Sequence, residues 1–171
     1  STGFNANGSY STTIFGDVGA TLNGRIETTR TRSLLGLSTV ELTLPVGNRY
    51  SPFSRDVLID RGVSGDFLPL AQVSDTLTGN VGATFNGNIG RWQWSVIGSF
   101  ERSESKTFTD VGIDAAPFQA RLNANDPTAR PFEPLVPGDV ALLPINRAYS
   151  TSNNGSIDAL FNGSLFELPA G

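Results

Sequence analysis

The chain has 171 residues, with 12 Lys and Arg against 16 Asp and Glu and a formal net charge of -4, and it contains no Cys, no Met and no His. Disulfides, thiol catalysis and Cys-ligated zinc are thereby excluded, as are the Ser-His-Asp triad and the common His general bases. The basic residues are Lys106 and Arg scattered singly from Arg25 to Arg147. They form no basic stripe, and nucleic acid is not expected as a partner.

Gly numbers 19, Pro 10 and Phe 11, and charged residues are 16% of the chain. That charged fraction is below the ~25% of ordinary soluble domains. Thr, Val, Phe and Ile favour a pleated surface, and Gly and Asn favour turns. The expectation is an all-β chain with long loops and a sticky surface. No run of 18 apolar residues offers a membrane helix. No charged and then apolar leader opens the chain, so no signal peptide is expected. A first residue other than Met is expected of a processed chain or an excerpt.

In chain order, Gly16 to Ile26 reads GDVGATLNGRI. Val18, Ala20 and Leu22 alternate with small or polar residues and lead into Asn23-Gly24, a strong hairpin signal. A polar strand, Arg25 to Arg32, is expected next. Asn48 to Leu70 carries Pro52, Gly62, Gly65 and Pro69 and reads as a loop. Gly79 to Ile89 repeats the first pattern, with Val81, Ala83 and Phe85 leading to Asn86-Gly87. Arg91 to Arg102 is the clearest strand. Trp92, Trp94, Val96, Gly98 and Phe100 share one face, and Gln93, Ser95, Ile97, Ser99 and Glu101 the other. Its ~12 residues of period two suffice to cross a bilayer core, which needs roughly 9–11. Trp92 and Trp94 at one end suit a membrane-interface girdle. A half-buried strand of a soluble sandwich reads equally well.

Residues 104 to 151 read as a Ser/Thr-rich and then Pro-rich loop. Pro117, Pro127, Pro131, Pro134, Pro137 and Pro144 argue against a central strand there. A short helix over Phe118 to Ala124 is expected, stopped by Asp126-Pro127. A third copy of the alternating pattern is Ile157, Ala159 and Phe161 before Asn162-Gly163. The copies lie at unequal spacings, which excludes a short solenoid repeat and suggests hairpins joined by unequal loops. Short turns alternating with long loops are the signature of an outer-membrane barrel.

These segments resemble the β-barrel region of TonB-dependent outer-membrane receptors. The carriers are NGNIGRWQWSVIGSFERSESKTFTD at Asn86 to Asp110, FQARLNANDP at Phe118 to Pro127, and SIDALFNGSLFELPAG at Ser156 to Gly171. Leu168-Pro169-Ala170-Gly171 looks like a strand start of these barrels, with an earlier relative at Leu44-Pro45-Val46-Gly47. The resemblance implies an outer-membrane location in a Gram-negative bacterium and, for the parent protein, siderophore or nutrient uptake. It supplies no ligand-binding residue. The family's plug and closing strand are not recognisable. Residues 1 to 171 therefore read as one partial barrel segment, short of the about 22 strands of that family.

A partial barrel leaves strand edges open. The leading expectation is that copies of the chain pair with one another, in the extreme case as a stacked cross-β, amyloid-like extracellular fibre. VGATF, WQWSVIGSF and IDALFNGSLF suit this, being low in charge and free of Pro. The alternative is a segment of an intact transporter. Both readings use Trp92, Trp94, Val96 and Phe100, against lipid in the barrel and against another sheet in the fibre.

Enzymatic chemistry is not expected, and no cofactor or metal is implied. Glu101 and Glu104 are three apart on a strand and point to opposite faces, unlike a glycosidase pair. Asn123-Ala124-Asn125-Asp126 reads as a solvated turn rather than a cation loop. No phosphate-binding glycine loop is present. The sequons at Asn7, Asn154 and Asn162 are formal matches only.

Overall fold

The computed structural model describes residues 1–65 and 67–164. The elements in order are β1 (Thr2–Ile14), β2 (Val18–Gly36), β3 (Thr39–Leu44), β4 (Val57–Gly62), β5 (Leu70–Ile89), β6 (Trp92–Thr109), β7 (Ile113–Asp114), helix α1 (Ala116–Asn123), a single 3-10 turn at Pro137–Asp139, β8 (Ala141–Leu142) and β9 (Asn146–Asn162). The chain is all-β apart from these two helical pieces, and its sheets are antiparallel. It divides into two compact units. The first comprises residues 1–31, 74–106 and 149–171, and the second comprises 32–73 and 107–148.

The first unit is built on a sheet with the order β1-β2-β5-β6-β9. β1 and β2 form a hairpin in which Tyr10 faces Leu22 and Ile14 faces Val18. Across β5 and β6, Thr76 meets Ser105 at 3.5 Å and Thr78 meets Ser103 at 3.2 Å, an antiparallel register. Ser99 and Ser156 hydrogen-bond at 2.9 Å across β6 and β9. These pairs fix which residues share a face, because successive side chains alternate.

The first two Asn-Gly pairs do not make hairpins. Asn23 and Gly24 lie inside β2 and face Ser9 and Gly8, and Asn86 and Gly87 lie inside β5. Asn162 is the last residue of β9, with Gly163 just beyond it. The chain reverses instead at Phe15-Gly16-Asp17 and at Gly90-Arg91. Phe15, Gly16 and Gly90 take the positive φ of 51°, 85° and 60° that tight reversal requires. The Asn-Gly positions serve packing between strands. An added Cβ on Gly82 would stand 2.5 Å from the Asn23 side-chain oxygen, and one on Gly19 would stand 2.9 Å from that of Asn86. Each Asn of the first two copies thus lies over a glycine of the other copy. Continuous pairing along both strands outweighs the local turn preference.

In the second unit, residues 48–70, read as a loop, contain β4, and residues 104–151, read as a loop with one short helix, also contain the end of β6, β7, β8 and the start of β9. β3 and β4 pair antiparallel, with Leu42 facing Ile59. Val40, Leu42 and Leu44 alternate inward and are buried. They meet Phe118 and Leu122 of α1, together with Val63, Ala129, Leu135 and Val140, in one apolar core. Leu44-Pro45-Val46-Gly47 closes β3 instead of starting a strand, with Gly47 at φ 80°. Leu168-Pro169-Ala170-Gly171 lies outside the described residues. The short helix falls within two residues of its expected position. It ends where Asn125 turns left-handed at φ 55°.

Polar side chains hold this core closed. The Gln119 side chain accepts from the Thr43 N–H at 2.8 Å and donates to the Thr43 carbonyl at 2.7 Å, which ties α1 to β3 as a strand neighbour would. Asn48 is buried, donates to the Leu122 carbonyl at 2.7 Å and accepts from the Tyr50 N–H. Arg121 binds Asp139 at 2.7 Å and Asp126 at 3.2 Å, and its guanidinium lies over the Phe118 ring at 5.7 Å.

Candidate functional site

The two faces of the five-stranded sheet differ sharply. One carries Phe4, Tyr10 and Ile14 of β1; Val18, Ala20, Leu22 and Ile26 of β2; and Leu77, Val81, Ala83 and Phe85 of β5. It continues through Trp92, Trp94, Val96 and Phe100 of β6 to Ile157, Ala159 and Phe161 of β9. The opposite face is built from Asn, Ser and Thr, with Arg25, Glu27, Glu101 and Asp158 among them. Ile97 and Leu160 are its apolar exceptions. The apolar side chains are not covered: Tyr10 is 67% exposed, Leu22 59% and Ile157 82%. A contiguous exposed apolar face marks a surface that meets a partner or a membrane.

All four residues expected on the functional strand share this face. Trp92 and Trp94 lie at the end where the chain reverses, and each covers a glycine, Trp92 that just beyond β9 and Trp94 one within β5. A Cβ on Gly163 would stand 2.6 Å from the Trp92 ring, and one on Gly87 would stand 3.0 Å from Trp94. Two of the three Asn-Gly pairs therefore place a glycine under an indole, the cross-strand arrangement that compensates a strand glycine for its missing side chain. Val96 lies between Phe85 and Ala159, and Phe100 lies beside Gly155, whose added Cβ would meet its ring at 3.7 Å.

The other end of the same face is charged. Arg30 pairs with Asp75 at 3.5 Å, and Arg102 pairs with Glu104 at 2.6 Å. Lys106 is exposed beside them and forms no ion pair among the described residues. Arg30, Asp75, Glu104 and Lys106 line a depression of about 420 Å³. Nearer the middle of the apolar face, Leu22, Val81, Phe100 and Ile157 surround a second depression floored by Ala83 and Gly98. Neither cluster was expected from the chain, although both follow from extending the alternation of β6 to its neighbours.

Glu101 and Glu104 lie on opposite faces. Glu101 lines the polar face with Arg25, Glu27, Thr78 and Asn80, and Glu104 binds Arg102. The side-chain oxygens of Asn123, Asn125 and Asp126 are engaged by Gln119, Arg49 and Thr128. Two hydrogen bonds from Thr128 and the neighbouring Arg121 hold the Asp126 carboxyl below its ordinary pKa. Arg121 is pushed up in turn, chiefly by its hydrogen bond to Asp139. These groups brace the second unit.

No family model, curated protein or solved structure matches this chain.

Proposed function

We propose that the five-stranded sheet is a wall segment of an outer-membrane transport barrel, of the TonB-dependent type that the sequence resembles. The observation that carries this reading is the separation of faces across all five strands. One face is apolar from Ile14 to Phe161, and the other is Asn, Ser and Thr. A soluble sandwich would cover the apolar face with a second sheet. A membrane barrel turns it to lipid and the polar face to an aqueous interior. The dimensions agree. The interval from Leu77 to Ile89 rises about 40 Å along β5, or about 30 Å at a typical barrel tilt, which matches a hydrocarbon core. The indoles at the end with short turns and the charges at the other bound that interval. The ligand of the parent transporter, a siderophore or another nutrient, is proposed from the resemblance alone.

Self-assembly is the second reading, favoured by the two outer strands of the sheet. β1 and β9 each have a neighbour on one side only, among the described residues. Backbone groups along the free edges offer a template to a copy of the chain.

Tryptophan quenching by brominated lipids separates the two. The barrel reading expects Trp92 and Trp94 to be quenched most by bromines placed near the headgroups. Filaments with a meridional repeat near 4.7–4.8 Å, and indoles that brominated lipid leaves unquenched, would replace it with the fibre.

A further inference from the structure

We infer that the apolar face holds one phospholipid molecule in a fixed position, and that this lipid carries a primary ammonium beside its phosphate. The inference rests on the membrane reading above and adds a named ligand class to it.

Two depressions on the same face carry the argument. The first has Arg30, Lys106, Asp75 and Glu104 around it, with Phe4 and Leu77 on its apolar side. Its charges are of mixed sign, two cations and two carboxylates, which suits a zwitterion better than a simple anion. Lys106, free of an ion pair among the described residues, reaches the phosphate with Arg30. The carboxylates of Asp75 and Glu104 accept from the ammonium. Both acids sit in exposed ion pairs, with side chains 42% and 38% exposed, and such pairs exchange partners at little cost.

The second depression takes the hydrocarbon. Its floor is Ala83 and Gly98, small residues in the apolar band, and its walls are Leu22, Val81, Phe100 and Ile157. A Cβ added at Gly98 meets nothing within 4 Å, so an acyl chain has room to lie over this position. From Leu77 beside the first depression to Ala83 on the floor of the second is about 20 Å along β5, within reach of an acyl chain whose headgroup occupies the first.

The test is native mass spectrometry of the full chain, refolded in detergent with equimolar phosphatidylethanolamine, phosphatidylglycerol and phosphatidylcholine. One retained lipid per chain is expected, enriched in phosphatidylethanolamine about fivefold or more. Asp75→Asn removes an acceptor for the ammonium and should reduce that enrichment about fivefold, on the scale of one charge at a lipid surface. Gly98→Val fills the hollow without a clash and should lower retention of all three lipids together. Equal retention of the three, or retention indifferent to both substitutions, overturns the inference. Retention that follows phosphatidylglycerol overturns it in favour of a plain anionic contact. Tryptophan quenching by brominated lipid in the same samples reports the membrane reading separately. If quenching persists while selectivity is lost, only the lipid site fails. If both vanish, the membrane reading fails with it.

Discussion

Neighbouring residues on β5 offer the sharpest test of the face assignment. Ala83 lies on the apolar face midway between Leu77 and Ile89, and Thr84 lies on the polar face. At barrel tilt, Ala83 is about 15 Å of depth from either end of the band, close to the bilayer midplane. An arginine there costs about 2–4 kcal/mol in a membrane barrel, and one directed to the interior costs little. Ala83→Arg should therefore weaken the folded, lipid-associated state by about 30-fold to 1,000-fold, at tenfold per ~1.4 kcal/mol. Thr84→Arg should change it less than about threefold. The assay is urea-dependent release from phosphatidylcholine vesicles, followed through Trp92 and Trp94. Equal penalties at the two positions, or a larger one at Thr84, would refute the assignment of the faces.

Other consequences concern packing and pH. Gly82→Val drives its side chain into Asn23, whose oxygen would stand 2.5 Å from the new Cβ. It should cost about 1–3 kcal/mol, and Asn23→Ala in the same chain should restore part of it in a double-mutant cycle by denaturant titration. Phe118→Ala removes a fully buried ring from the second unit and should cost about 3–5 kcal/mol, read as lost amide protection in β3 and α1. Asp126 has a lowered folded-state pKa, so its contribution is present above the unfolded carboxyl value of about 3.9 and is lost as pH falls through the folded value. Protection of the Thr128 amide, which donates to Asp126 at 2.8 Å, should hold at neutral pH and drop in acid. Asp126→Asn should lower that protection already at neutral pH.

The sequence and the three-dimensional structure divide the account at identifiable residues. Alternation in Trp92 to Phe100 was enough to define a long strand and the side chains of its apolar face, because period two is a local property of an extended chain. Asp126-Pro127 was enough to bound the short helix α1. The absence of Cys and His was enough to exclude whole classes of chemistry. Local signals misplaced the turns. Asn23-Gly24 and Asn86-Gly87 carry turn chemistry, but what they do is decided across strands, where Asn23 lies over Gly82, Asn86 over Gly19 and Trp94 over Gly87. No spacing rule connects residues 23 and 82. The second unit was hidden for the same reason. The burial of Val40, Leu42 and Leu44 depends on Phe118 and Leu122, more than 70 residues on. Composition made this an all-β chain. Long-range register decided that its apolar residues collect on one face, because a one-residue slip would send every second side chain to the other side.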